Sequence, residues 1–228
     1  MFVNSHWQAY RLRSCIKEPE TVKWIEENMK SGDVFYDVGS NVGAYALVAF
    51  AVTGGQSKIY AFEPSFATFG ELCWNIYLNK AQNRIIPLQI GLGAKTELLN
   101  MRYSELTAGA AQHAWDGIPS QKGEDFDPVY TQATPCYRID DLVDMLKLEI
   151  PALIKIDVDG PEFEALKGAE RTLLDPIVRT LLIEINDNQA EEIVTFLEGK
   201  GFGIHSKYRR GASLSNYVFC KNYQDLRS

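Results

Sequence analysis

The chain has 228 residues, 46% of them hydrophobic and 23% charged, a composition typical of one globular domain with a sizeable core. Its formal net charge of −7 disfavours nucleic acid as the main partner, because such binding depends on neutralising phosphates. The longest apolar run, residues 44–52, is too short to span a membrane, and the four cysteines form no C-x-x-C pair, so we expect a cytoplasmic protein without disulfides or structural zinc.

Helical and extended patterns alternate along residues 1–228, which predicts a single α/β domain with a mostly parallel sheet. Residues 1–32 form a helical lead-in, with a helix that begins near Pro19 and ends at Gly32. Strands are predicted at 33–38, 58–62, 84–90, 152–158 and 178–185. Helices are predicted at 44–52, after a Ser65 cap, at 140–148, at 161–174 and at 188–199, the last with an Asn188/Glu191 capping box. Residues 202–205 and 215–221 read as a closing hairpin.

Residues 96–103 are predicted to form one arm of a β-hairpin, whereas the segment 104–134 matches no regular element. This segment is rich in Gly, Ala, Gln and Asp, with His113, Trp115 and Tyr130 interspersed. A loop of that length in a compact domain is usually functional or disordered. The isolated aromatic residues favour a lid or a substrate-binding insertion.

The turn after the first predicted strand, Asp37-Val-Gly-Ser-Asn-Val-Gly43, has the features of a ligand loop. It joins the carboxyl end of a strand to a helix, where open α/β sheets bind ligands. A dinucleotide enzyme needs G-x-G-x-x-G, but here Asn41 replaces the second glycine and blocks the approach of a pyrophosphate. S-adenosylmethionine has no phosphate, and Asp37 offers a carboxylate to its cationic end. We therefore predict that Asp37, Gly39, Ser40, Asn41 and Gly43 bind S-adenosylmethionine rather than NAD.

Glu63 ends the second predicted strand, and Pro64 stops that strand and fixes the chain direction. An acidic side chain at this position can accept two hydrogen bonds from a ribose 2′,3′-diol. Glu63 and Pro64 are therefore added to the predicted cofactor site. The alternative is a glycine turn needed only for packing, with Glu63 in solvent.

Acidic residues also follow the fourth predicted strand. Asp157 and Asp159 are two residues apart and should face the same side, and Glu184 ends the next strand at about the same height. One of these carboxylates can act as general base on a substrate hydroxyl, or Asp157, Asp159 and Glu184 can together bind Mg²⁺. The structural alternative is that Asp159 and Glu162 cap the helix that begins at Pro161.

Two histidines, His113 and His205, are alternative bases. A lone histidine is more often a surface residue or a satisfied core residue than a catalytic one. Of the two, His205 is the better candidate, because the sixth strand region can border the cleft.

Four segments in combination resemble the FkbM family of methyltransferases over about residues 20–220. These segments are Asp37-Val-Gly-Ser-Asn-Val-Gly-Ala-Tyr45, Ala61-Phe-Glu-Pro64, Lys155-Ile-Asp-Val-Asp-Gly160 with Glu162, and Leu166-Lys-Gly168. The resemblance implies a Rossmann-like class I methyltransferase fold, with a seven-stranded, mostly parallel sheet in the order 3-2-1-4-5-7-6. It also implies S-adenosylmethionine as cofactor and a hydroxyl of a sugar, glycan or polyketide-like molecule as acceptor. Asp159 stands where the family more often has glutamate, and Ala94 replaces a usual aspartate, so no adenine contact is assigned to Ala94.

Three functions follow from these residues. The favoured one is O-methylation of a small-molecule or glycan hydroxyl. Nucleic-acid methylation is opposed by the acidic charge and by the absence of an N/D-P-P-Y/F motif; Cys136 is interpreted as structural, and the basic tract Lys207, Arg209 and Arg210 as a solvated loop. A binding module without catalysis is opposed by the intact acidic set. A homo-oligomer is compatible with the sequence, which does not specify the oligomeric state.

Overall fold

The computed structural model describes residues 13–110, 113–116, 126–158 and 160–221. The strands in chain order are β1 (Val34–Val38), β2 (Lys58–Phe62), β3 (Ile85–Leu88), β4 (Gly91–Leu92), β5 (Glu97–Tyr103), β6 (Ala114–Trp115), β7 (Tyr130–Tyr137), β8 (Leu153–Ile156), β9 (Thr180–Asn186), β10 (Phe202–Arg209) and β11 (Leu214–Lys221). The helices are α1 (Ser14–Lys17), α2 (Pro19–Asn28), α3 (Ala44–Val52), α4 (Phe66–Leu78), α5 (Ile139–Leu146), α6 (Glu162–Lys167) and α7 (Ala190–Glu198), with a 3₁₀ turn at Thr172–Leu174.

Seven strands form the main sheet, in the order β3-β2-β1-β8-β9-β11-β10. Strand β11 runs antiparallel to both of its neighbours, and the other adjacent pairs are parallel. When these seven strands are numbered among themselves, the order becomes 3-2-1-4-5-7-6. The predicted Rossmann-like class I fold is therefore confirmed.

Helices cover both faces of this sheet, and strand alternation decides which side chain meets which helices. In β1, Phe35 packs in the layer with α2, α3 and α4, whereas Tyr36 and Val38 pack in the layer with α5, α6 and α7. Asp37 alternates with Tyr36 and Val38, so it belongs to the α3 side of the sheet. This assignment determines which site residues can meet.

A second, four-stranded sheet has the order β4-β7-β5-β6 and lies between β3 and α5 in the chain. The predicted hairpin arm is β5, and it pairs antiparallel with β7. Strand β7 was not predicted, because its first residues fall in the segment 104–134, which matches no regular element. Pro135 lies within β7, opposite Leu98. Strand β6 and the start of β7 fall within the predicted insertion at 104–134, whose role as a lid stays a prediction.

Several boundaries differ from the prediction. Helix α2 ends at Asn28, and Gly32, with φ +86°, lies in the turn that leads to β1. The Asn188/Glu191 capping box is wrong: Gln189 is the N-cap of α7, without a side-chain hydrogen bond. The Ser65 cap of α4 is confirmed, since its side chain accepts from the Thr68 N–H. In the described part of the chain, no helix combines the length and apolarity required to cross a bilayer.

Candidate functional site

A cleft of about 610 Å³, counted to its open mouth, lies at the carboxyl ends of β1, β2 and β8. Its lining includes the β1–α3 loop (Gly39, Asn41), the end of β2 (Glu63, Pro64), the segment after β8 (Asp157, Val158, Pro161) and the second sheet with its loop (Met101, His113, Trp115). No lysine or arginine is among the described residues that line the cleft.

The loop between β1 and α3 is held tightly against both neighbouring strands. The N–H groups of Gly39 and Ser40 both donate to the Phe62 carbonyl, at 3.0 Å each. Gly39 and Gly43 have φ of +76° and +85°, and Asn41 also has a positive φ of +49°. A Cβ on Gly39 would lie 1.8 Å from the Asp157 carbonyl oxygen. Glycine at position 39 therefore lets the loop pack directly on the chain that leaves β8.

We expect Gly39→Ala to destabilise the fold by about 1–3 kcal/mol more than Gly32→Ala, because overpacking adds to the backbone penalty. Gly32 is the matched control: its φ is +86°, yet a Cβ added there would have no neighbouring atom within 4 Å. Gly32→Ala therefore measures only the cost of placing alanine in the left-handed conformation, about 1–2 kcal/mol. Urea unfolding followed by tryptophan fluorescence measures both variants. Equal losses for the two would contradict the close approach at Gly39.

Glu63 is buried, with 6% of its surface exposed, and it borders the cleft. Its Oε2 accepts from the Asn41 N–H and its Oε1 from the Ser65 N–H, each at 2.9 Å. These two bonds orient the carboxylate between the β1–α3 loop and the end of β2. The alternative of a solvated Glu63 is therefore wrong.

Asn41 connects the loop to the segment before β6. Its N–H bonds Glu63, its Oδ1 accepts from the Val42 N–H at 3.0 Å, and its Nδ2 donates to the Ala110 carbonyl at 3.3 Å. The side chain is thus committed to the protein. Ser40 also acts within the loop, where its hydroxyl donates to the Asp37 carbonyl at 2.7 Å.

Asp37 lies behind the cleft and does not line it. Its side chain is fully buried, and its Oδ1 lies 3.7 Å from Lys155 Nζ. Lys155 is 1% exposed and its Nζ also lies 3.2 Å from Asp157 Oδ2, so one ammonium connects the two carboxylates. Direct contact between Asp37 and a cofactor stays a prediction.

Burial and charge oppose each other in this cluster. Burial lowers the pKa of Lys155, but the carboxylates of Asp157 and Asp37 outweigh it, so its pKa lies above the ordinary value and the group stays charged. Burial raises the pKa of Asp37, and Lys155 opposes that rise. The charge of Lys155 therefore keeps a buried aspartate and a cleft aspartate in place.

Of the predicted acidic set, Asp157 borders the cleft with its side chain 30% exposed. Asp159 lies outside the described residues. Glu184 is half-buried and, by the register Ile156↔Ile183, lies level with Asp157 as predicted, but it is not part of the cleft lining. Within the described ranges no group of three or more His, Cys, Asp or Glu side chains is arranged to hold a metal ion. Because Asp159 lies outside these ranges, the Mg²⁺ set of Asp157, Asp159 and Glu184 stays a prediction.

Glu162 has a structural position, but the hydrogen bonds of its side chain lie before α6 rather than at a helix cap, and α6 has no side-chain cap. It is 1% exposed, and its Oε1 accepts from the N–H groups of Gly160 at 3.0 Å and Val158 at 3.4 Å. The side chain therefore holds the loop that follows Asp157, immediately before α6.

The structure reverses the predicted order of the two histidines as candidate cleft residues. His205 is exposed on β10, the edge strand, and borders a separate groove against α2 with Glu20 and Trp24. Strands β8, β9 and β11 separate β10 from β1, so the topology does not bring His205 to the cleft. His113 does border the cleft, and its ring packs on Tyr103 with 4.6 Å between centroids.

The basic tract does not form a free cationic patch, and the prediction of a solvated loop is wrong for Arg210. Its side chain is 13% exposed and pairs with Glu18 at 2.8 Å and Glu20 at 3.3 Å. Arg209 pairs with Asp187 at 2.7 Å. Cys136 is buried, and burial raises its pKa to about 11, which agrees with its interpretation as a structural thiol.

A family model described as the methyltransferase FkbM domain matches residues 37–204. The chain belongs to the FkbM family. It is 27% identical over 195 residues to the hexuronic acid methyltransferase AglP of Haloferax volcanii, with 86% of this chain and 73% of that protein covered. It is 25% identical over 198 residues to the 31-O-demethyl-FK506 methyltransferase FkbM of Streptomyces tacrolimicus, with 77% and 75% covered.

Solved structures agree on the fold. The FkbM methyltransferase of Methylobacillus flagellatus KT superposes with a TM-score of 0.58 at 14% identity, covering 89% of this chain and 59% of that one. This FkbM-family chain is thus an S-adenosylmethionine-dependent methyltransferase. The cleft fits that cofactor, because it offers a buried carboxylate for ribose hydroxyls and, among its described lining residues, no cation to repel a sulfonium.

Proposed function

We propose that the enzyme transfers a methyl group from S-adenosylmethionine to a hydroxyl oxygen of a sugar, glycan or polyketide-like small molecule. The observation that carries this proposal is that Glu63 and Asp157 border one cleft, the first buried and the second partly exposed beside Lys155. The names of the two relatives, which concern a hexuronic acid and a demethylated FK506, support this class of acceptor.

The residues that would hold the cofactor are the loop residues Gly39, Ser40, Asn41 and Gly43 together with Glu63 and Pro64. When bound, S-adenosylmethionine supplies an electrophilic methyl carbon on sulfur. Glu63, a carboxylate that borders the cleft, would accept from the ribose hydroxyls. The loop would need little rearrangement on binding, since its backbone is already bonded to β2.

Asp157 is proposed as the general base. Asp157 would take up the proton of the acceptor hydroxyl on a carboxylate oxygen as the hydroxyl oxygen bonds to the methyl carbon and the carbon–sulfur bond breaks, which would release S-adenosylhomocysteine. Lys155, 3.2 Å from Oδ2, holds that carboxylate in place. Nucleic acid is not the proposed acceptor, because the net charge is −7 and Arg209 and Arg210 of the basic tract are already paired with acids.

We expect Glu63→Ala to weaken binding of S-adenosylhomocysteine by about 5- to 150-fold, since about 1–3 kcal/mol is lost when buried hydroxyls lack a partner. Isothermal titration calorimetry measures the dissociation constant. Glu149→Ala is the matched control. The Glu149 carboxylate accepts from Lys58 and Tyr60 of β2, but Glu149 precedes β8 and so lies at the amino ends of the strands, away from the cleft. An unchanged dissociation constant in Glu63→Ala would remove Glu63 from the site.

The reaction itself is tested by transfer from methyl-labelled S-adenosylmethionine to separate pools of neutral sugars, uronic acids, polyketide-like alcohols and oligonucleotides. Each pool is run with Mg²⁺ and with EDTA. We expect label in a sugar or polyketide-like pool. Because methylation of a hydroxyl gives an ether, mild alkali should not release the label. Label in the oligonucleotides, or in an alkali-labile ester, would refute it.

A further inference from the structure

The segment that precedes β6 is fixed across the cleft at several points. The Gly109 N–H donates to Thr68 Oγ1 at 3.2 Å, and the Ala110 carbonyl accepts from Asn41. Beyond residues 111–112, Ala114 and Trp115 pair with β5. His113 is therefore held in the cleft wall by contacts to α4, the β1–α3 loop and the second sheet.

The His113 ring has an unusual environment. Its Nδ1 is buried and has no hydrogen-bond partner among the described residues. Burial lowers the pKa of His113 to about 4, so the ring is uncharged at neutral pH. A buried polar atom without a partner is costly, and each such atom in a native protein calls for an explanation such as a ligand.

The neighbours of His113 in the cleft indicate which part of a ligand it meets. The second sheet contributes Met101 and Trp115, and the chain after β3 contributes Ile90 and Leu92. An apolar wall with one uncharged polar group suits a flat base with a polar edge. It does not suit an amino-acid group, whose ammonium and carboxylate need charged or strongly polar partners.

We propose that His113 hydrogen-bonds to the adenosine part of S-adenosylmethionine and contributes to the selection of that cofactor. This inference rests on the proposed binding of the cofactor in the same cleft. Because the ring is uncharged, it adds no repulsion toward the sulfonium.

The first test uses ¹⁵N-histidine labelling of the unmodified chain, which contains three histidines. His6→Gln and His205→Gln assign the three sets of signals by elimination. We expect S-adenosylhomocysteine and 5′-methylthioadenosine each to shift the imidazole nitrogens of His113, whereas homocysteine alone leaves them in place. The His205 signals should not move with any of the three.

The second test is calorimetry on His113→Phe, with His205→Phe as control. We expect His113→Phe to bind both S-adenosylhomocysteine and 5′-methylthioadenosine about 5- to 150-fold more weakly, and the control to match the original chain. Binding of both ligands without movement of the His113 signals overturns this inference alone. A shift with S-adenosylhomocysteine but not with 5′-methylthioadenosine also overturns it. Absence of any binding by the unaltered chain overturns the cofactor assignment itself.

Discussion

Asp157→Asn is expected to lower methyl transfer by about 10²- to 10⁴-fold while the dissociation constant of S-adenosylhomocysteine stays close to that of the original enzyme. Asparagine has the shape of aspartate but cannot take up the hydroxyl proton. The side chain borders the cleft, and its Oδ2 is 3.2 Å from Lys155 Nζ. The two measurements separate loss of a base from loss of the cofactor site. The transfer assay requires an acceptor, whereas the binding measurement does not.

Glu184→Gln is the companion variant, since Glu184 lies level with Asp157 on the neighbouring strand. If Asp157 is the base, Glu184→Gln keeps most of the turnover. Retained turnover in Asp157→Asn would rule Asp157 out as the base, and loss in Glu184→Gln alone would transfer the role to Glu184. Thermal unfolding of both variants shows whether a loss of activity reflects a loss of folded protein.

Lys155→Met is expected to lower the free energy of unfolding by about 3–5 kcal/mol at pH 7, the usual cost of removing one partner from a buried ion pair. Methionine fills a similar volume, so lost packing contributes little. Asp37, fully buried with Lys155 Nζ 3.7 Å from its Oδ1, would lose its neighbouring cation. Urea unfolding gives the difference directly.

The loss should also depend on pH. Burial already raises the pKa of Asp37 in the folded chain, and removal of Lys155 removes the charge that opposes this rise. A raised folded pKa means that the destabilisation is absent at pH values below the unfolded pKa of about 3.9 and grows as the pH rises above it. Asp37→Asn combined with Lys155→Met should abolish this slope. A slope that persists in the double variant would show that Asp37 is not its source.

Much of the fold could be predicted, because local pattern and tertiary structure agree. Helix α3 and strand β2 have the predicted bounds, since the run at 44–52 is apolar all round and residues 58–62 lead into the Glu63-Pro64 stop. Glu63 and Asp157 were placed correctly at one edge because both follow parallel strands. The position of Asp37 was also encoded: by alternation it shares a face with Phe35, and a lysine within the apolar Leu-Ile-Lys-Ile of β8 signals a buried acidic partner.

The rest depended on long-range pairing. The prediction that His205 borders the cleft was wrong, because the local sequence does not indicate that β10 is an edge strand of the sheet. Part of the second sheet was not predicted, because the first residues of β7 fall in the segment 104–134, which matches no regular element. The cleft wall was not predicted either, since Met101, His113 and Trp115 come together only when β5 pairs with both β6 and β7.

The ion pairs of Arg210 with Glu18 and Glu20 have a consequence for synthesis on the ribosome. Glu18 and Glu20, at the start of α2, are joined to the turn between β10 and β11, which follows far along the chain, and Trp24 likewise bonds Thr180. Domains generally fold as units during synthesis. Here α2 emerges from the ribosome long before its partner Arg210, so native closure of this domain follows the emergence of the β10–β11 hairpin.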